Sequence, residues 1–197
     1  MSDDFDATLD AMAAAPPAHE LVPGRECGAC TMCCKVMGIR EIAKPPGQWC
    51  THCTPGQGCG IYETRPSACR TFYCGYRVRS YVPEAWKPTS SRMIILEEGG
   101  GVRLAVVVDP GSPNVWKQQP FYAQLKAWAR IGAQNQQQVL VRVGKRAIVI
   151  LPNEDVDLGV VGPGEIIMTE VRQTALGPVY RAYRTKAPPG AEPSPAG

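Results

Sequence analysis

All nine cysteines of this 197-residue chain fall between Cys27 and Cys74, within about a quarter of its length. Cysteines used for general core packing would be spread along the sequence, so this crowding indicates a shared thiol site. A Cys-x2-Cys pair is a good chelate because the intervening turn brings both sulfurs to one ion. The sequence therefore predicts a metal site. The candidate ligands are Cys27, Cys30, Cys33, Cys34, Cys50, Cys53, Cys59, Cys69 and Cys74.

Disulfides are the weaker interpretation of these cysteines. The N-terminal sequence MSDDFDATLDAMAAAPP is acidic where a secretory signal would be positively charged, and no stretch approaches the roughly 18 apolar residues of a membrane span. We therefore expect a cytoplasmic protein with no membrane partner. Cytosolic thiols are kept reduced, and an odd number of cysteines cannot all pair. Zinc or iron, including an iron-sulfur cluster, is the expected cofactor.

Two ligand groupings compete. Cys30-x2-Cys33 followed by Cys50-x2-Cys53 has the spacing of a four-cysteine zinc site. The second grouping is the bacterial ferredoxin arrangement, in which Cys27-x2-Cys30-x2-Cys33 holds three corners of a cubane cluster and a distant cysteine such as Cys69 holds the fourth. The two sites would share residues, so the sequence alone does not choose between them.

The vicinal pair Cys33 and Cys34 bears on the number of metal positions. Adjacent side chains usually project in different directions, so we expect the two thiols to serve different positions, or one cluster and a separate thiol pair. His52 lies between two cysteines and is a further candidate ligand. The simpler interpretation is that its imidazole hydrogen-bonds a sulfur or faces solvent.

Two sequence blocks stand in order: CGACTMCC from Cys27 to Cys34, and GCGIYETRPSACRTF over residues 58–72. Together they resemble the bacterial CxxCxxCC family of zinc- or iron-chelating proteins, also called YkgJ-like. The resemblance covers roughly residues 25–76 and implies a chelating module with about eight cysteine ligands. The cysteines that match the family pattern are Cys27, Cys30, Cys33, Cys34, Cys59 and Cys69. From the residues alone, Arg65 and Arg70 are candidates to neutralise thiolate charge or bind an anion.

The sequence predicts an α+β protein with four segments. Residues 1–24 read as a disordered N-terminal segment with at most a short helix over Phe5 to Ala15, and residues 186–197 as a disordered tail. Residues 25–91 form a loop-rich cysteine module in which Cys27 to Met37 could make a short helix, and residues 92–185 form a β-rich unit with one helix. Three hairpins are expected there, turning at residues 97–101, 144–145 and 177. The helix begins near Pro120, buries Phe121, Leu125 and Trp128, and stops at Gly132.

The leading function is a metal-binding protein whose β-rich half docks a protein partner, and we do not expect an enzyme. A cluster-dependent protein-modifying enzyme, similar to the lysine methylases related to the family, is the alternative. Against it, the chain has no Gly-rich cofactor loop and only two histidines. Residues 65–92 alternate basic and aromatic side chains as in a single-strand RNA site, but a small core beneath the cysteines explains these aromatics better.

Overall fold

The computed structural model describes residues 21–188, which divide into two compact units, one ending at Ile94 and the other beginning at Ile95. Helices and sheets both occur, so the protein belongs to the predicted α+β class. The helix predicted over Phe5 to Ala15 and most of the two predicted disordered ends lie outside the described residues. None of the helices in residues 21–188 is long and apolar enough to cross a membrane.

The cysteine-bearing unit contains short helices of three to five residues and one hairpin whose two strands have two residues each. Such short elements follow from the prolines and glycines that interrupt this part of the sequence. The α-helices are α1 (Met32–Val36), α2 (Ser67–Thr71), α3 (Gly75–Val78) and α4 (Pro88–Ser91). Single 3-10 turns cover Arg40–Ile42, Tyr62–Thr64 and Glu84–Trp86. Strand β1 (Cys53–Thr54) pairs antiparallel with β2 (Gly58–Cys59).

Arg25 connects the start of this unit to its later part. Its guanidinium donates hydrogen bonds to the carbonyls of Tyr76, Arg79 and Val82 at 2.8, 3.1 and 2.7 Å. It also lies 4.5 Å from the centre of the Tyr76 ring, where a cation is attracted to the ring face. These contacts hold the segment that leads into Cys27 beside the segment that follows Cys74.

The second unit contains a five-stranded sheet with the order β3-β4-β5-β6-β7. Strands β4 and β5 run parallel, whereas β5–β6 and β6–β7 are antiparallel. A separate antiparallel hairpin, β8–β9, completes the unit. The strands are β3 (Met93–Glu98), β4 (Arg103–Val108), β5 (Gln138–Val143), β6 (Arg146–Ile150), β7 (Asp155–Val160), β8 (Glu165–Thr174) and β9 (Gly177–Lys186). Single 3-10 turns cover Gly99–Gly101 and Val115–Lys117.

The central strands β5 and β6 are buried almost along their whole length, as expected for strands covered on both faces. Helix α5 (Phe121–Gln134) contacts both strands and buries Leu125 and Trp128. The β8–β9 hairpin packs in an apolar cluster, to which it contributes Ile167, Tyr180 and Ala182. The other buried members of this cluster come from β5, from β6 and from the residue after β6: Leu140, Ala147, Val149 and Leu151.

The predicted hairpins at residues 144–145 and 177 are confirmed, and the strands on either side of residues 99–101 are hydrogen-bonded neighbours. Strand β7 was not predicted. Its sequence, DVDLGV, does alternate apolar residues with acids or glycine, and Val156 and Leu158 are partly buried against the core whereas Asp155 and Asp157 are exposed. The strand signal is therefore present, although acids and glycine are uncommon in strands. The parallel β4–β5 pairing was also not anticipated. The parallel pairing arises because α5 carries the chain back to the edge of the sheet at which β4 begins, so that β5 runs in the same direction as β4.

Gly132 does not end α5, which continues to Gln134. Its role is close packing, since a Cβ atom added at this position would lie 2.9 Å from the backbone oxygen of Gln137. That residue donates its backbone N–H to the Gly132 carbonyl at 2.8 Å, which fixes the turn into β5.

Gly132→Ala should therefore destabilise the protein, although alanine is normally the better helix former. Because the clash is with backbone, which cannot move aside cheaply, we expect a loss of about 1–3 kcal/mol in the free energy of unfolding, measured by urea denaturation. Ile131→Ala changes the neighbouring, exposed helix position and should have little effect. An increase in stability for Gly132→Ala would contradict the close approach.

Candidate metal centre

All nine cysteines are free thiols in the structure, and no disulfide joins any two of them. Eight are at least partly covered, whereas Cys27 is exposed. Within residues 21–188, no three His, Cys, Asp or Glu side chains already converge closely enough to form a metal site. The thiols nevertheless fall into two neighbourhoods, which differ in the side chains that surround them.

The larger neighbourhood, the Cys34 group, lies around the α1 helix and the β1–β2 hairpin. The Cys34 thiol lies close enough to the thiols of Cys33 and Cys53 to interact with both electrostatically. Cys53 stands directly opposite Cys59 across the hairpin. The full group consists of Cys33, Cys34, Cys50, Cys53, Cys59 and Cys69, which come from α1, the following loop, β1, β2 and α2.

Cys33 and Cys34 lie in the same group and interact with each other, and the expectation that they serve different metal positions stays a prediction. Successive residues of a helix are offset by only about 100°, so suitable rotamers can turn neighbouring sulfurs towards each other. Their interaction raises the pKa of Cys34 far above its ordinary value, with burial adding to the effect. Burial raises the pKa of Cys53 to about 12 and that of Cys69 to about 11, and neighbouring thiols add to both shifts. The thiols of Cys34, Cys53 and Cys69 therefore keep their protons near pH 7 while no metal is bound.

Backbone hydrogen bonds draw the separate parts of the Cys34 group together. The Cys50 N–H donates to the Cys34 carbonyl at 3.0 Å, which places the middle loop against α1. The Gly56 N–H donates to the Thr31 hydroxyl at 3.1 Å and fixes the hairpin turn to the start of α1. Such contacts hold the cysteines near one another although the elements that carry them are short.

Glu41 positions Cys69. Its carboxylate accepts hydrogen bonds from the backbone N–H groups of Ser67 and Ala68, both at 2.8 Å. These are N–H groups of the first turn of α2, which have no partner within the helix. Cys69 sits in the same turn, so Glu41 fixes the direction from which its thiol approaches the group. No sequence motif identifies this role of Glu41.

Lys44 brings a buried positive charge to the same group. Its side chain is only 7% exposed, and its ammonium donates hydrogen bonds to the carbonyls of Lys35, at 2.9 Å, and Met37. Burial lowers the pKa of Lys44, while the nearby sulfurs of Cys50, Cys34, Cys33 and Cys69 act in the opposite direction. Lys44 therefore caps the carbonyl end of α1 and places a cation among the thiols. No sequence pattern predicts this role of Lys44.

The smaller neighbourhood, the Cys74 group, consists of Cys27, Cys30 and Cys74. Together with Tyr76, Arg77 and Lys87 among others, these thiols line one small pocket. The Cys30 N–H donates to the Cys27 carbonyl at 2.7 Å, which closes the turn of the Cys-x2-Cys pair. Cys34 also acts electrostatically on Cys30, so the two groups are neighbours.

Each thiol of the Cys74 group has an N–H donor beside it. Arg77 Nη1 lies 3.1 Å from Cys27 Sγ. Burial raises the pKa of Cys30, but the Met32 backbone N–H opposes the rise. Burial likewise raises the pKa of Cys74 to about 11, and the backbone N–H groups of Arg77 and Tyr76 oppose it. Such donors are the usual outer contacts of metal-bound sulfur.

The other predicted candidates lie apart from these contacts. His52 is exposed, and its carbonyl accepts a hydrogen bond from the Gly60 N–H at 2.7 Å. Arg65 lies 3.7 Å from the centre of the Tyr62 ring and donates to the carbonyl of that residue at 2.6 Å. It also reaches the Cys69 carbonyl at 3.4 Å. Arg70 is exposed. Arg65 therefore contacts Cys69 through the backbone and not through sulfur.

The basic and aromatic segment does not present a stacking surface as a whole. Tyr76 is 5% exposed and Trp86 only 1% exposed, so neither ring is accessible to a nucleic-acid base. The Arg77 guanidinium lies 5.6 Å from the centre of the Tyr73 ring as well as against the Cys27 sulfur. Tyr76 and Trp86 therefore belong to the small core of the unit, whereas Tyr81 in the same segment is 51% exposed.

Comparison with known proteins adds no further evidence on this site. No family model, curated protein or solved structure matches the chain. The site must therefore be interpreted from its own geometry. That geometry favours neither sequence grouping in full, because Cys30 lies with Cys27 and Cys74 whereas Cys33 lies with Cys34.

Proposed function

We propose that this is a metal-binding protein that chelates zinc or iron through the thiolates of its cysteine module. The observation that carries the proposal is the gathering of six thiols from five separate segments, of which Cys33, Cys34, Cys50 and Cys69 also act electrostatically on Lys44. Lys44 caps α1 through two carbonyls, and the same position brings its charge near the sulfurs. A metal-thiolate centre would use that charge, because four thiolates on one divalent ion carry a net charge of about −2 that a fixed cation offsets.

Metal binding requires the thiols to lose protons and move closer together. The raised pKa values of Cys53 and Cys69 describe neutral thiols, which have no electrostatic reason to converge. A bound metal ion displaces those protons and attracts the resulting thiolates. Contacts already present, such as that of Cys34 with Cys33 and Cys53, would need only local side-chain rotation to form a coordination shell.

The donor set favours a thiophilic metal. Sulfur ligands select zinc, copper(I) and iron-sulfur clusters over magnesium or calcium, which prefer oxygen. The resemblance of residues 25–76 to the CxxCxxCC family supports zinc or iron. It is an additional argument for the same proposal, since the family is named for its chelating cysteines.

The test begins with purification of the reduced protein without oxygen, followed by elemental analysis and an absorbance spectrum. A colourless protein with stoichiometric zinc indicates a zinc-thiolate centre, and a brown protein with iron and sulfide indicates a cluster. Protein that contains neither metal, and takes up neither when titrated, would refute the proposal.

A single substitution then locates the centre. Cys34→Ser removes the thiol that contacts both Cys33 and Cys53, so it should lower the bound metal by one equivalent, or abolish the cluster, because loss of a ligand weakens a site sharply. Thr54→Ala alters an exposed residue beside Cys53 and should retain full loading. Unchanged loading in Cys34→Ser would exclude the Cys34 group as the site.

A further inference from the structure

The Cys74 group differs from the Cys34 group in its number of thiols and in its charged neighbours. It offers three sulfurs, whereas the larger group offers six. Arg77 and Lys87 both line its pocket, and Lys87 acts electrostatically on Cys30. A structural zinc site takes four protein ligands, whereas a site with three protein ligands keeps a position for water or another exogenous ligand.

Arg77 supplies the second observation. Its Nη1 atom is committed to the Cys27 sulfur at 3.1 Å. Its Nε atom, in contrast, is buried and has no hydrogen-bond partner within residues 21–188. A buried donor without an acceptor is costly, so an orphaned guanidinium N–H beside three thiols indicates that an acceptor from outside the chain belongs there.

From these observations we propose that Cys27, Cys30 and Cys74 bind one divalent metal ion and leave its fourth coordination position open to a small anion. The inference rests on the proposed function, because it requires that the module binds metal. It goes further in separating a second site from the Cys34 group and in assigning that site an exchangeable ligand. Arg77 and Lys87 are the residues that favour an anion over water.

The charges at the pocket fit this assignment. A divalent ion with three thiolates has a net charge of about −1, and a bound monoanion makes it about −2. Two fixed cations at the pocket wall offset that charge. Glu26 also lines the pocket and is the competing fourth ligand from within the chain, so the experiment must distinguish it from an added anion.

Cobalt(II) and azide provide the test, because tetrahedral cobalt-thiolate sites absorb visible light and the spectrum changes when a ligand is exchanged. The metal-free, reduced full-length protein is titrated with Co²⁺ and then with azide. We expect a saturable spectral change on adding azide. Cys74→Ser should lose one equivalent of Co²⁺ and the azide response, whereas Cys34→Ser should lose cobalt from the other group and keep the response.

Arg77→Gln should keep its cobalt stoichiometry and bind azide about tenfold more weakly, since it removes a charge-assisted donor. Arg70→Gln makes the same charge change at an exposed position of the unit and should not alter azide affinity. Circular dichroism of each variant confirms that it is folded.

Four results would overturn the inference. A wild-type protein that binds cobalt but gives no azide response has no open position, and a response that appears only in Glu26→Gln would assign the fourth position to that carboxylate. An azide response that survives in Cys74→Ser would place the exchangeable ligand in the other group. Failure of the wild-type protein to bind any cobalt would refute the proposed function as well, which separates the two failures.

Discussion

Removal of metal from the reduced protein should unfold the cysteine-bearing unit and leave the second unit folded. Within residues 21–94 the first unit has no helix longer than five residues and one hairpin whose strands have two residues each, so its small core and its loop contacts need metal ligation to keep it folded. Structural zinc contributes about 10–16 kcal/mol to the folding of comparable small domains. A strong chelator with a reductant should therefore expose sites before Ile94 to protease, while a fragment that begins near Ile95 survives.

The second unit serves as the internal control in this experiment. Its five-stranded sheet and α5 bury an apolar core that needs no metal, so its circular dichroism should persist and zinc should restore the remainder. If the first unit keeps its protease resistance after complete metal removal, then metal does not stabilise its fold. The small core around Trp86 would then be sufficient by itself.

Glu98→Gln should strongly destabilise the second unit. Glu98 is 3% exposed and forms a two-bond ion pair with Arg142, at 2.9 and 3.0 Å, together with a weaker one to Arg103 at 3.4 Å. Burial lowers the pKa of Arg142, and Glu98 opposes this. Loss of the carboxylate leaves a buried guanidinium without its counter-charge, which costs about 3–5 kcal/mol. Urea denaturation measures this loss.

Two variants test the physical reason for this loss. Asp157→Asn breaks the exposed Arg146–Asp157 pair and should barely move the denaturation midpoint, because solvent and salt screen exposed pairs. The double variant Glu98→Leu with Arg142→Met should be more stable than Glu98→Gln, because apolar residues can replace both members of a buried pair. Equal effects of Glu98→Gln and Asp157→Asn would show that burial of the pair has no energetic importance.

The sequence predicted the second unit better than the first, for a physical reason. Apolar alternation and turn residues identified β5, β6, β8, β9 and the buried face of α5, because local sequence determines these elements. The parallel β4–β5 pairing depends on tertiary contacts that no local pattern encodes, whereas β7 has a local alternation that its two acids and its glycine weaken. Buried charges such as Glu98 and Arg142 were also invisible, since a charged residue in a strand is usually exposed.

The sequence predicted which residues form the candidate site, but not how those residues are arranged in space. Spacing identified Cys27 and Cys30 as a chelating pair, but it could not show that Cys74, distant in sequence, lies beside them. Lys44 and Arg77 carry the charge of the two groups, and each is an ordinary basic residue in the sequence. Their roles depend on burial and on neighbouring sulfur, which become visible only when the chain is folded.

The Arg25 contacts have a consequence for how this protein tolerates mutation. All three hydrogen bonds of its guanidinium end on main-chain carbonyls, those of Tyr76, Arg79 and Val82. A carbonyl is present whatever side chain the residue carries, so substitutions at residues 79 and 82 that keep the backbone path leave the connection intact. Arg25 has no such freedom, because only its planar, multiply donating group reaches three acceptors at once. The relative position of the two segments that carry the Cys74 group thus depends on one side chain, Arg25, and on main-chain carbonyls that any residue supplies.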